Sequence, residues 1–217
     1  MHALFAGLLT LTSFALSVLA NPVPEPLEHP DWSKVFIRNP KYFGSGCPWG
    51  TVDATLAPDG SYLNLAFSQY EAQVYKGSKP NEAHKNCQLS FELHFPQGWA
   101  VTLYETTFTG FVKLDPKVTA LQSATYHFGG HPKDTATFKC PKPSGWKGPL
   151  TQSYSCTDQL LLHSFVWSSC KGTYETLFIN TSIDVDNSKN RKGSGFINTE
   201  TAEAVVAQLY RCQWRRC

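Results

Sequence analysis

Residues 87–95 read Cys-Gln-Leu-Ser-Phe-Glu-Leu-His-Phe, and this stretch decides the fold class. Apolar residues occupy every second position, and polar residues fill the positions between them. Because successive side chains of a strand point to opposite faces of a sheet, this alternation predicts a β-strand with one face in the core and one in solvent. Pro96-Gln97-Gly98 follows and predicts the end of the strand.

The same alternation recurs along the chain. Residues 52–56 and 63–67 flank the turn Pro58-Asp59-Gly60 and predict a hairpin. Further strands are predicted over residues 99–103, which we expect to return antiparallel to 87–95, over 118–128, near 160–168 and over 175–185. Residues 199–209 have a helix-forming composition but lead into a strand-like pattern, so both assignments stay open. Many short strands with regular turns predict an all-β fold, a two-sheet antiparallel β-sandwich that is jelly-roll-like or Ig-like.

The start of the 217-residue chain predicts secretion. Residues 2–19 contain no Lys, Arg, Asp or Glu, and Val18-Leu19-Ala20 has the small and apolar pattern of a signal-peptidase site. Four prolines lie within residues 21–30. We therefore expect a signal peptide over residues 1–20, a Pro-rich leader over 21–43 and a single β-sandwich domain over 44–217. The mature chain then lies in an oxidising extracellular environment, where cysteines pair as disulfide staples, and the sequence has seven cysteines.

Charge and motifs limit the class of partner. The net charge is +2 from 19 basic and 17 acidic residues, so no long-range field recruits nucleic acid. After the signal, no apolar run approaches the roughly 20 residues of a membrane span. The sequence lacks H-E-x-x-H, G-x-S-x-G, Walker and EF-hand motifs. We expect a monomer without a cofactor, a metal, a membrane span or a nucleic-acid partner.

Several short blocks occur in a characteristic order. They are Gly44-Ser45-Gly46-Cys47-Pro48, Lys85-Asn86-Cys87-Gln88-Leu89, Phe95-Pro96-Gln97-Gly98-Trp99, Trp167-Ser168-Ser169-Cys170, Ile179-Asn180-Thr181-Ser182 and Gln213-Trp214-Arg215-Arg216-Cys217. Together they resemble a family of secreted fungal proteins known as domain of unknown function 4360 (DUF4360). The resemblance implies a secreted fungal protein with an all-β domain, and it brings no activity, ligand or catalytic residue.

The cysteines suggest three bridges and one free thiol. Four of them, Cys47, Cys87, Cys170 and Cys217, lie in the family-like blocks, and Cys140 and Cys156 bracket a loop rich in proline and glycine. Six cysteines can pair in many ways, and we favour Cys47 with Cys87, Cys140 with Cys156, and Cys170 with Cys217. Cys212 remains, either buried and inert, which we favour, or available to link two chains into a covalent dimer.

Two constellations suggest chemistry without establishing it. Glu92 and His94 share a polar face, and Glu105 on the next strand would supply the second carboxylate of a glycosidase. His127 and His131 would ligate a metal only if the intervening glycines folded back, because residues four apart in a strand lie about 13 Å apart. We favour a surface histidine pair.

Binding is the preferred class of function. Residues 141–149 place Trp146 in a loop closed by Cys140 and Cys156, with Lys142 and Lys147 as a polar rim. An exposed ring there would stack on a sugar or fill a partner's pocket, whereas the alternative is that Trp146 folds back over a sheet edge. Asn180 begins the only N-x-S/T sequon and predicts an N-glycan.

Together these observations predict a secreted, non-catalytic fungal protein. It would act at the cell wall or at a host interface, like an effector, by binding a cell-wall glycan or a host protein. The alternatives are a carbohydrate-active enzyme of the extracellular space and an inert structural protein of the cell wall.

Overall fold

The computed structural model describes residues 29–199 and 207–217, which form thirteen strands. The strands are β1 (Phe36–Phe43), β2 (Val52–Leu56), β3 (Tyr62–Phe67), β4 (Glu71–Val74), β5 (His84–His94), β6 (Trp99–Leu114), β7 (Thr119–Phe128), β8 (Ala136–Cys140), β9 (Trp146–Lys147), β10 (Leu150–Gln159), β11 (Tyr174–Asp186), β12 (Gly195–Asn198) and β13 (Gln208–Arg216). Short 3-10 helices span Trp32–Lys34, Pro80–Glu82 and Leu162–Ser164.

The strands form two antiparallel sheets packed face to face, which confirms the predicted β-sandwich. The front sheet has the order β1-β5-β11-β7-β8, and β9 also pairs with β7. The back sheet has the order β2-β3-β13-β6-β12-β4, and β10 also pairs with β6. Apolar side chains from the inner faces of both sheets make one core, because each strand directs alternate residues inward.

Four predicted elements, the β2–β3 hairpin and strands β5, β7 and β11, are observed at their expected places. β2 and β3 form the hairpin around Pro58-Asp59-Gly60, with Val52 opposite Phe67. β7 and β11 match the strands predicted over 118–128 and 175–185, and they pair along their whole common length. Burial alternates residue by residue along β5 from Cys87 to His94, as the sequence pattern requires.

The structure corrects two strand predictions. β6 does not return beside β5, because residues 96–98 carry the chain from the front sheet to the back sheet. Alternation reveals which face of a strand is buried but does not reveal which sheet contains the strand. The strand predicted near 160–168 is also wrong, since Leu162–Ser164 is a 3-10 helix. The strand lies earlier, at Leu150–Gln159, where mostly polar residues hide the pattern.

The structured domain begins before the predicted boundary at residue 44. Phe36–Phe43 is strand β1, which pairs with β5 at the edge of the front sheet. Its register shifts between Arg38 and Lys41, where Asn39 has a positive φ of 48°, and this irregularity interrupts the alternation. Residues 36–43 therefore belong to the sandwich and not to the predicted leader. The signal peptide and residues 21–28 lie outside the described residues.

Three disulfides staple the sandwich. They join Cys47 to Cys87, Cys140 to Cys156, and Cys170 to Cys217, the same pairs that the sequence analysis favours. Cys212 is free and half-buried in β13. Of the ambiguous residues 199–209, Gln208 begins β13, and 200–206 lie outside the described part of the chain. No helix in that part is long and apolar enough to cross a membrane.

Buried hydrogen bonds fix how the sheets face each other. Gln208 of the back sheet donates from Nε2 to Oγ1 of Thr181 in the front sheet, at 2.9 Å. The hydroxyl of Tyr210 donates to Oε1 of Gln208 at 2.7 Å, and that of Tyr70 donates to the Thr181 carbonyl at 2.7 Å. Since a buried polar group without a partner is costly, these bonds favour one alignment of the two sheets. The outer face of the front sheet is consequently held on a rigid support.

Candidate functional site

The outer face of the front sheet exposes a stack of three aromatic rings. Phe36 in β1 lies opposite His94 in β5, and His94 lies opposite Tyr174 in β11. The ring centroids of Phe36 and His94 are 4.7 Å apart, and those of His94 and Tyr174 are 5.3 Å apart. The interplanar angles are 13° and 25°, so the rings are nearly parallel. Tyr174 at the end of the stack is 56% exposed.

Charged side chains lie directly beside this ring stack. Cζ of Arg38 is 4.7 Å from the centroid of the Phe36 ring, which is a cation–π contact. Glu92 is opposite both Arg38 and Thr176, and its Oε2 lies 3.7 Å from Nε2 of His94. The guanidinium offers hydrogen-bond donors and the carboxylate offers acceptors at the edge of the rings.

A second ring pair lies further along the same face. Phe178 of β11 stacks on His127 of β7 with centroids 4.9 Å apart and an interplanar angle of 13°. Phe178 is 37% exposed and is separated from Tyr174 by about 13 Å of strand, four residues at about 3.3 Å each. We call the outward residues Phe36, Arg38, Glu92, His94, His127, Tyr174 and Phe178 the aromatic face. The exposed ring of Tyr174 at the end of the stack can pack on a ligand, and the polar groups beside the rings can hydrogen-bond to it.

The sequence of β11 contains a signal for this surface. Positions 174 and 178 fall on the outward parity of β11, where a solvent-facing strand ordinarily carries polar residues. Two aromatic residues at outward positions of one strand indicate a surface that binds a partner or ligand. Phe36 lies in the segment that the sequence assigns to the leader. Its alignment with His94 can be recognised only from the pairing of β1 with β5.

Trp146 does not form the predicted exposed anchor. It is only 8% exposed, pairs through β9 with Ala120 of β7, and its ring lies 4.5 Å from that of Tyr154. The alternative, in which the ring folds back over the sheet, is the observed one. The loop carries the ring inward because Trp146 and Lys147 extend the front sheet, and a strand buries one of two successive side chains.

The two lysines do not form a common rim. Nζ of Lys142 lies 2.6 Å from Oδ1 of Asp158, a carboxylate whose side chain is 5% exposed. Oδ2 of Asp158 also accepts the Lys139 backbone N–H at 2.8 Å. Lys142 therefore neutralises a buried charge, while Lys147 is exposed opposite Thr119.

The carboxylates of the predicted glycosidase pair lie in different sheets. Glu92 and His94 belong to the front sheet, whereas Glu105 lies in β6 of the back sheet. Oε1 of Glu105 accepts from Nε of Arg211 at 2.9 Å. The pair is not assembled because β5 and β6 are neighbours along the chain but not in a sheet.

The histidine pair has separate contacts. His127 stacks on Phe178, and Nδ1 of His131 lies 4.0 Å from Oδ2 of Asp134. Across residues 29–199 and 207–217, no group of three His, Cys, Asp or Glu side chains is arranged to hold a metal ion.

Cys212 has a weakly acidic thiol. Burial raises the pKa of the Cys212 thiol to about 12, and Sγ lies 3.9 Å from the Tyr210 carbonyl oxygen. A thiol with this pKa stays protonated at neutral pH, and the protonated form is a poor nucleophile. These properties favour the inert alternative over a covalent dimer.

A polar cleft of about 460 Å³ lies outside the aromatic face, because the two share no residue. It is lined by Ser45, Pro48, Ser68, Gln69, Glu71, Gln73, Glu82 and Lys85. The highly exposed Trp49 follows Pro48 in sequence, but its ring stacks on Tyr42, with centroids 5.8 Å apart. None of the residues that line the cleft is aromatic.

Comparisons with known proteins confirm the family resemblance and the secreted location. A family model described as "Domain of unknown function (DUF4360)" matches residues 33–217. A protein of the fungus Arthroderma benhamiae, named "Uncharacterized secreted protein", is 32% identical over 188 residues, which are 87% of this chain and 74% of that protein. The chain, like this relative, is a secreted fungal protein.

Two solved structures share only a general likeness. TmCBM61 in complex with beta-1,4-galactotriose is 12% identical, with a TM-score of 0.24 and coverage of 82% of this chain and 88% of that one. The infectious bursal disease virus VP2 subviral particle is 9% identical, with a TM-score of 0.22 and coverage of 95% of this chain and 42% of that one. Similarity at this level carries no argument about binding.

Proposed function

We propose that this protein, which belongs to the DUF4360 family, is a non-catalytic saccharide-binding protein that attaches to a glycan of the cell wall or of a host surface. The binding site is the aromatic face. One observation carries the proposal: Phe36, His94 and Tyr174 stack across three strands on the outside of the sandwich. In this proposal the protein resembles an effector, because it is secreted and recognises a glycan of the cell wall or of a host surface.

Stacking chemistry supports a saccharide ligand. The C–H faces of a sugar ring are apolar and pack on aromatic rings, while its hydroxyls require donors and acceptors at the edge of the stack. Arg38 and Glu92 border the rings and offer both kinds of group.

The rigid sheet supports binding by rings that are only partly exposed. Every residue of the stack lies in a strand, and β5 is hydrogen-bonded on both sides. Pre-organised side chains lose little conformational entropy on binding, so a few contacts leave a larger net affinity. The separation of Glu92 from Glu105 supports binding over hydrolysis, because a glycosidase requires two carboxyl groups about 5–9 Å apart.

The test compares two tyrosine variants on a glycan array and in sedimentation with insoluble wall polysaccharides. Tyr174→Ala removes the exposed ring of the stack. Tyr62→Ala is the matched control, because Tyr62 is 37% exposed in β3 of the back sheet. We expect the secreted protein to bind a saccharide, Tyr174→Ala to bind it at least about tenfold more weakly, and Tyr62→Ala to bind normally.

Three outcomes would contradict the proposal. They are no binding to any saccharide, equal binding by both variants, and release of a shortened product, which would indicate the carbohydrate-active enzyme. Loss of a biological effect in Tyr174→Ala without saccharide binding would indicate a host protein as the partner.

A further inference from the structure

We infer that Asn180 carries an N-linked glycan whose first sugars pack on Phe178 and His127, so that the protein's own saccharide covers one half of the aromatic face. The stack of Phe36, His94 and Tyr174 then remains as the half that is open to an external ligand. This last step rests on the proposed function, whereas the glycan and its packing do not.

The acceptor site is defined by sequence and by exposure. Asn180-Thr181-Ser182 is the only N-x-S/T sequence in the chain, and the protein passes through the secretory route where such sites are modified. In the folded protein Asn180 points outward from β11 and is exposed, between Gln88 of β5 and Thr125 of β7. A glycan attached there projects from the sheet surface without disturbing the core.

The outward Phe and Tyr side chains of β11 lie on one side of Asn180, toward the start of the strand. Phe178 is two residues away on the same face, about 7 Å along the strand, and it is stacked on His127. In the opposite direction, Ser182 donates to Oδ2 of Asp184, and Oδ1 of Asp184 contacts Nδ1 of His84, so this side carries polar groups. A sugar on Asn180 therefore finds an apolar ring to stack on only toward Phe178.

The spacing leaves the remaining stack accessible. Tyr174 is six residues from Asn180, or about 20 Å along the strand, so the first sugars reach Phe178 but not Tyr174. Gln88 and Thr125, directly opposite Asn180, are polar neighbours for the sugar hydroxyls. The attached glycan thus marks the boundary between an occupied half of the face and a free half.

Intact mass of the secreted protein, before and after N-glycosidase treatment, tests the modification. We expect a loss of mass on treatment of the wild type and of Ser182→Thr, which keeps the sequon. Asn180→Gln and Ser182→Ala should show no loss. An unchanged mass in the wild type would overturn the inference and leave the proposed function intact.

Melting temperatures in a double-mutant cycle test the packing. If the sugars stack on Phe178, removing the glycan by Asn180→Gln should lower the melting temperature by about 2–4 °C in the wild-type background. The same change in the Phe178→Ala background should have a clearly smaller effect. Equal shifts in both backgrounds would overturn the packing. A glycosylated protein with this coupling that binds no saccharide would overturn the proposed function alone.

Discussion

Trp146→Ala tests how the sandwich uses its buried loop tryptophan. The ring is 8% exposed and packs 4.5 Å from the ring of Tyr154, where the two-residue strand β9 covers the edge of β7. Truncation removes almost the whole buried side chain. Within residues 141–149 the only strand is the two-residue β9. The loop can therefore partly collapse into the cavity that the missing ring leaves.

The size of the effect follows from burial and position. Replacing a buried aromatic residue by alanine costs about 3–5 kcal/mol, and partial collapse favours the lower end, about 3 kcal/mol. For a domain of this size, each kcal/mol lowers the melting temperature by about 2–4 °C, so we expect a fall of about 6–12 °C. The free energy of unfolding should fall at an unchanged m-value, because the folded and unfolded states stay as compact as before.

Thermal and urea denaturation of the secreted protein measure both quantities. Lys147→Ala is the matched control, since Lys147 is the exposed neighbour in the same strand, and we expect a change within about 0.5 kcal/mol. A Trp146→Ala protein as stable as the wild type would refute the reasoning. That result would indicate that the Trp146 ring is exposed in the wild type and is again a candidate for partner binding.

Three further predictions concern charge and ionisation. Lys142→Ala should lower the free energy of unfolding by about 1–3 kcal/mol, because it leaves the buried Asp158 carboxylate without its half-exposed cation, whereas high salt should weaken the wild type little. Urea denaturation in low and high salt checks this, and a neutral result would contradict the pairing. The native Cys212 thiol should resist a thiol reagent at pH 8 and react fully in denaturant, because burial raises its pKa to about 12; rapid native labelling would refute the assignment. Burial also raises the pKa of Tyr126 to about 12, so the folded state holds protons that the unfolded state releases above about pH 9–10. The stabilisation from these two groups should therefore be fully present below pH 9 and be lost between about pH 9 and pH 12. A melting temperature that stays constant to pH 11 would contradict this direction of the pH dependence.

Local patterns predict the strands well because burial has a period of two. β5, β7, β11 and the β2–β3 hairpin all follow from alternating side chains and turn residues. The same patterns do not determine the neighbours of a strand, as the placement of β6 in the back sheet demonstrates. Irregular strands are missed for a related reason, since the bulge in β1 and the polar residues of β10 remove the period from the sequence.

The candidate site is harder to predict because its residues meet only through pairing. Phe36, His94 and Tyr174 are separated by long stretches of chain, and the antiparallel registers of β1, β5 and β11 align them. Trp146 draws attention in the sequence because its loop is rich in proline and glycine, yet a two-residue strand turns the ring inward. Composition indicates which rings exist, whereas the sheet decides which of them face solvent.

An NMR titration of the secreted protein with the saccharide selected on the array tests the central claim most directly. Backbone amide shifts report where the ligand lies without any change to the protein. Saccharide binding at the aromatic face predicts that the largest shifts fall in β1, β5 and β11 around Phe36, His94 and Tyr174, with small shifts around Tyr62 on the back sheet. Shifts concentrated on the back sheet or in the polar cleft around Glu71, or no shifts at saturating saccharide, would contradict it.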